Sequence, residues 1–218
     1  MAEAGRGGRR IFVGDIQGCR AQLEALLDAC RFVRGRDRLL PAGDLVRKGP
    51  DSVGTLHLLR ELGAEPVLGN HDLRWLETEA DTDPDAAAWL RRQPIARIDA
   101  DVILVHAGLH PRWTEADVAA LGADPAAVDF AVNVRYCDAE GRRPERDWPP
   151  PAPPFVPWDE HYRGTKTVVF GHWARRGLVR RDRVVGLDTG CVYGHALTAW
   201  IAEEDRIVAV DGWVDRSS

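Results

Sequence analysis

Five times in this chain a short apolar run gives way directly to a turn that carries a metal-ligand side chain: Gly14-Asp15, Gly43-Asp44, Gly69-Asn70, His106-Ala107-Gly108 and Gly171-His172. The runs before them, over 10–13, 39–42, 65–68, 101–105 and 167–170, have the length and the apolar or β-branched composition of strands. Such a chain must gather polar side chains where its strands end, and α/β sheets place their ligands there. Glycine allows the sharp turn that brings a short side chain close to a bound ion. Any one of these turns is ordinary, and a single histidine at a strand end is more often a core residue. Five in one chain define a candidate site.

Between the runs the apolar spacing is helical. Leu23, Leu26, Leu27 and Cys30 predict a helix over 21–32, and Val53, Leu56 and Leu59 one over 51–62. Further helices are expected over 73–79 and 85–92, and further strands over 183–187, 196–202 and 206–210. The first half alternates strand and helix, and the last third is mostly strand. That order predicts an α/β (α+β layered) fold with sheets covered by helices. The segment 142–158 carries seven prolines. It reads as a stiff surface connection, because proline can neither donate to a ladder nor continue a helix. It is not read as a domain boundary, since His172 beyond it is needed beside residues before it. The expected organisation is a loose tail over 1–10 and one domain over 11–212.

Charge and composition narrow the function. The formal net charge is −5, whereas a protein that tracks a nucleic-acid backbone usually carries a basic excess. Extended DNA or RNA binding is therefore not expected, although one pocket can still hold a few phosphates. No apolar run approaches the ~18 to 20 residues of a membrane span. The Gly- and Arg-rich N-terminus lacks the apolar core of a signal peptide, so the expected location is cytoplasmic. The four cysteines form no CxxC pair and are expected to be free thiols.

Aspartate, asparagine, glutamine and histidine offer oxygen and nitrogen donors without thiolate. That set suits Mn, Fe or Zn at a catalytic site better than structural zinc. A carboxylate can bridge two cations, and two ions ~4 Å apart form the usual clamp for displacement at phosphorus.

The blocks Gly14-Asp15-Ile16-Gln17-Gly18, Gly43-Asp44-Leu45-Val46-Arg47-Lys48-Gly49 and Gly69-Asn70-His71-Asp72 resemble the signature of phosphoprotein-phosphatase-type metallophosphoesterases. Val105-His106-Ala107-Gly108 and Phe170-Gly171-His172-Trp173 supply two later histidines. Gly18-Cys19, Gly171-His172-Trp173-Ala174 and Leu187-Asp188-Thr189-Gly190-Cys191 narrow the resemblance to the bacterial symmetrical diadenosine tetraphosphatases, over residues 11 to 202. This resemblance implies a calcineurin-like fold with a two-sheet β sandwich core flanked by helices. It implies two divalent ions, Mn first, with Fe, Zn or Co as alternatives. Asp15 and Gln17 would hold one ion, Asp44 would bridge both, and Asn70, His106 and His172 would complete the second. A hydroxide shared by the ions would attack phosphorus, cleaving diadenosine tetraphosphate to two ADP. His71 would protonate the leaving oxygen, oriented and kept cationic by Asp72. Lys48, Arg135 and the neighbouring Arg47 would grip phosphate.

Three departures from the family pattern stand out. Gln17 occupies a position usually held by histidine, and Lys48 one usually held by arginine, which replaces a planar fork with a point charge. The segments before Asp101 and over 113–134 are shortened, which opens the walls of the site. Trp113 and Trp173, each following a histidine of one of these blocks, are candidates for purine stacking or for rim and core packing. Protein serine/threonine phosphatase activity, alone or beside nucleotide hydrolysis, and a non-catalytic nucleotide sensor remain as alternative readings. The expected partner is a dinucleoside polyphosphate or another phosphate ester, a phosphoprotein included. Neither extended nucleic acid nor a membrane is expected.

Overall fold

The computed structural model describes residues 8–215. Its elements run in the order β1 (Arg10–Val13), α1 (Arg20–Cys30), β2 (Arg38–Pro41), α2 (Ser52–Glu61), α3 (Asn70–Thr78), α4 (Pro84–Leu90), β3 (Ala96–Ile98) and β4 (Val102–Val105). Then follow α5 (Glu115–Ala119), α6 (Pro125–Asn133), β5 (Tyr136–Cys137), β6 (Val156–Pro157), β7 (Thr167–Phe170), β8 (Val179–Arg181), β9 (Val184–Gly186), β10 (Ala196–Ile201) and β11 (Arg206–Asp211).

Two mixed sheets form the centre, one ordered β11-β10-β1-β2 and the other β3-β4-β7-β9-β8. In the first, β1 pairs parallel with β2 and antiparallel with β10. In the second, β4, β7 and β9 run parallel. Alternate side chains from both sheets meet face to face: Phe12, Leu40 and Trp200 from one, Leu104, Val169 and Val185 from the other. The intervening residues, such as Ile11, Val13, Leu39, Ile103 and Val105, join a second core with α1, α2, α3 and α4. Each inner strand is thus buried on both faces, so its sequence is an unbroken apolar run rather than an alternating one. The architecture is the expected sandwich flanked by helices.

The differences from the sequence expectation have local causes. Residues 65–68 form no strand. Glu65 and Val67 donate their N–H groups to Leu39 and Pro41 of β2, but Pro41 has no N–H to return a bond to the Glu65 carbonyl, so the ladder is not completed. Two helices, α5 and α6, lie in a stretch expected only to be short. Both carry N-terminal caps: the Thr114 hydroxyl accepts from Asp117 N, and the Asp124 carboxylate from Ala126 N.

Of the tail expected over 1–10, residues 1–7 lie outside the described residues, and Arg9 and Arg10 do not belong to it. The Arg9 guanidinium pairs with Asp37 at 2.7 Å, and Arg10 reaches both Glu203 at 2.6 Å and Asp101 at 2.5 Å. No described helix is long and apolar enough to cross a membrane.

Candidate metal centre and cleft

The turns after β1, β2, β4 and β7, with the N-terminus of α3, bring Asp15, Gln17, Asp44, Asn70, His106 and His172 together at one edge of the two sheets. Ligand atoms of Asp15, Asp44 and His106 lie within 4.8 Å of one another. The turns approach so closely that side chains would not fit between them. A Cβ on Gly171 would sit 2.1 Å from Asp15 Oδ1, and one on Gly69 2.2 Å from Asp44 Oδ1. Gln17, Asp44 and His172 themselves adopt left-handed backbone, at φ 49°, 48° and 68°. Each such residue costs about 1–3 kcal/mol, and such strain gathers at functional sites.

The hydrogen bonds fix the protonation of the two candidate ligand histidines. His106 Nδ1 lies 2.8 Å from the carbonyl of Ala42, and His172 Nε2 lies 3.1 Å from the carbonyl of Asn133. A carbonyl can only accept, so those nitrogens carry the protons. Burial pushes the His106 imidazole down to about 3 and His172 well below its ordinary value, so both rings are neutral. Their other nitrogens are bare lone pairs, and both point at Asn70 Oδ1, at 3.1 and 3.0 Å. Asp44 Oδ1 stands 3.3 Å from His106 Nε2. A ring held by its outer N–H to a carbonyl, with its inner nitrogen bare, is the usual posture of a metal-ligating histidine.

On the other side of Asp44, Asp15 Oδ2 and Gln17 Oε1 are buried with no hydrogen-bond partner. Unsatisfied buried oxygens are costly unless a cation or water takes them up. Burial first, then the charges of Asp188 and Asp44, push the Asp15 carboxyl well up; burial and then Asp72 do the same to Asp44. Unpaired oxygens, bare imidazole nitrogens and crowded carboxylates are together the donor set two divalent cations would satisfy, with Asp44 shared between them.

The remaining expected residues divide. His71 faces the cluster, with Nε2 3.9 Å from Asp44 Oδ2, while its Nδ1 is buried without a partner. Burial, then Lys48 and Arg47, push the imidazole down to about 4, so in the free protein it is neutral near pH 7 rather than cationic. Asp72 does not orient it. Adjacent residues of a helix point about 100° apart, and the Asp72 carboxylate turns away to accept from Leu45 N at 2.8 Å and Gly69 N at 2.9 Å. Asp72 ties the turn after β2 to the start of α3, and burial pushes its carboxyl up to about 7. Arg47 does not line the cleft; its guanidinium pairs with Glu79 at 3.6 Å.

Lys48 and Arg135 do line the cleft above the cluster, a cavity of about 740 Å³. Arg135 donates to Asp147 at 3.1 Å and to the His172 carbonyl at 3.4 Å. Lys48 bonds the Tyr193 hydroxyl. Trp113 packs against His110 and Phe130 rather than in the cleft. Trp173 is a buried part of the wall, with Arg176 over its ring at 4.9 Å.

Sequence reasoning missed Asp188 as a site residue. It is buried at the cleft floor beside Asp15, and burial raises its carboxyl. The signal was present, since Leu187-Asp188 follows β9 just as the other ligands follow their strands. Asp147 and Trp148, from the proline-rich segment, also reach the cleft, and nothing in the composition of that segment indicated it.

A two-sheet sandwich with paired acidic and imidazole ligands at its strand ends is the arrangement of a metallophosphoesterase. Residues 8–176 match the model of the calcineurin-like phosphoesterase family, and the chain belongs to that family. Within it, the chain is 35% identical to the symmetrical bis(5'-nucleosyl)-tetraphosphatase of Shewanella baltica, over 89% of this chain and 95% of that protein. That alignment spans 260 positions against 218 residues here, so segments of the relative have no counterpart in this chain. A crystal structure described provisionally as a diadenosine tetraphosphatase superposes with a TM-score of 0.81 at 40% identity, covering 94% of both chains. A Saccharomyces cerevisiae protein serine/threonine phosphatase shares the fold alone, with a TM-score of 0.63 at 14% identity, over 99% of this chain and 83% of that one.

Proposed function

We propose that this chain, acting as one unit over 11–212, hydrolyses diadenosine tetraphosphate symmetrically to two molecules of ADP. The observation that carries the reading is the pair of unsatisfied donor groups sharing Asp44: Asp15 and Gln17 on one side, Asn70, His106 and His172 on the other. Its substrate and symmetry are supported by the name of the Shewanella baltica relative. Divalent ions held there, manganese foremost, would polarise phosphoryl oxygens and acidify the attacking water. Arg135 and Lys48 would hold the phosphoryl oxygens, and an arginine so aimed is worth on the order of 10²-fold in rate. His71 would deliver a proton from Nε2 to the leaving phosphate oxygen. The negative charge of the arriving polyphosphate, rather than Asp72, would raise the imidazole enough to carry that proton. Four free, buried thiols support a reducing, cytoplasmic setting.

The test is incubation of the Mn²⁺-loaded protein with diadenosine tetraphosphate, with the nucleotides resolved by anion exchange. ADP as sole product is expected. AMP plus ATP would sink symmetric cleavage, and turnover of phosphopeptides alone would move the activity to phosphoproteins.

A further inference from the structure

Two large aromatic side chains in the cleft are left open. Trp148, from the proline-rich segment, is 60% exposed, and Tyr193, from the turn after β9, is 54% exposed. Single exposed apolar side chains are ordinary on a protein surface, but these two open into the cleft above the candidate metal centre. Each has a cation beside it: the Arg175 guanidinium lies 4.7 Å from the Trp148 ring centre, and Lys48 bonds the Tyr193 hydroxyl at the edge of that ring. Both cations line the same cleft. Arg175 lies three residues beyond His172, and Lys48 lies four beyond Asp44, so each pair is joined by a short stretch of chain to a different candidate metal ligand. An aromatic face beside a phosphate-seeking cation is what a nucleotide offers partners for: a base to stack and a phosphate to neutralise.

We propose that Trp148 with Arg175 and Tyr193 with Lys48 are two base-stacking subsites, one for each purine of a single dinucleoside polyphosphate laid across the metal centre. The inference rests on the nucleotide reading above and assigns its specificity to these residues. It also replaces Trp113 and Trp173 as the stacking rings, since the first packs outside the cleft and the second is buried in its wall. A cleft of about 740 Å³ lies within the range that encloses extended small ligands.

The test compares ADP with pyrophosphate in calorimetric titrations of the Mn²⁺-loaded protein. The tighter binding of ADP measures the base alone. That advantage should shrink about 5- to 100-fold in Trp148→Ala/Tyr193→Ala. The kcat/KM for diadenosine tetraphosphate should fall by a similar factor in each single variant, chiefly through KM. Trp148→Phe and Tyr193→Phe keep a ring and should recover most of the loss. An ADP advantage absent from the wild type, unchanged in the double variant, or lost equally in the phenylalanine variants would overturn the proposal. If the wild type shows the advantage and the double variant loses it, yet diadenosine tetraphosphate is not cleaved, the subsites stand and the symmetric-hydrolysis reading fails.

Discussion

The floor and the rim of the cleft are built on opposite principles. The floor is made of strand-end turns. Its polar groups are buried, some unsatisfied, and several sit on strained backbone. The rim is made of the proline-rich segment and the turn after β9. Its groups are half-buried or exposed and already have partners: Arg135 pairs with Asp147, and Lys48 bonds the Tyr193 hydroxyl. A buried, unsatisfied group recovers its lost bonds only from a bound cation or water, whereas a half-exposed pair exchanges more readily with solvent or ligand. The floor is suited to fixing a reaction and the rim to choosing what reacts.

That contrast is sharpest at Asp44, the residue shared by both donor groups. Asp44→Asn should lower kcat by at least about 10²- to 10³-fold and remove bound metal. Metal analysis of the purified variant checks the second part, and full occupancy would break the assignment of Asp44 as the bridge.

A smaller effect distinguishes the rim. Arg135→Ala should lower kcat/KM about 10²-fold. Asp147→Ala, which frees the same guanidinium from its carboxylate, should leave kcat/KM unchanged or raise it. Parallel losses in the two variants would mean that the pair serves as structure.

The pH dependence of metal binding tests the floor from another side. The carboxyls of Asp15 and Asp44 are raised, so they hold protons to higher pH in the metal-free protein and must release them when a cation binds. His106, near 3, and His172, well below its ordinary value, hold none to release. Affinity should therefore keep rising with pH above the ordinary carboxylate range, with proton release visible as a buffer-dependent heat in calorimetry. A flat profile would mean that the carboxylates are already ionised. The smallest effect belongs to Glu79→Ala. It breaks only a half-exposed pair with Arg47 and should change stability by no more than about 1 kcal/mol in urea unfolding. A fall in kcat beyond about twofold would return Arg47 to the cleft.

The same contrast explains what could be read from the sequence. The floor was legible because most of its side chains are contiguous with the strand that positions them: Val13 leads to Asp15, and Phe170 leads to His172, while Asn70 follows an extended run that only borders β2. Asp188 obeys the same rule but has Leu187 where the others have glycine or the histidine itself, so its block marked the resemblance without marking a site residue. The pairing of Asp72 with His71 failed because adjacency in sequence is not adjacency on a helix. Rim residues such as Trp148 depend on where a long proline-rich segment returns to the body, and no local pattern encodes that path. The extra helices α5 and α6 were legible in principle through their capping residues, Thr114 with Asp117 and Asp124 before Pro125.

The left-handed backbone at Gln17, Asp44 and His172 has a consequence for engineering. Glycine at any of the three would relieve strain and should make the metal-free chain harder to melt. A laboratory selection for heat tolerance alone would therefore be drawn to the very residues the proposed chemistry needs, and on that reading its winners would be robust and inert. Any programme to harden this protein must score turnover in every round, or the first thing it improves away will be the reaction.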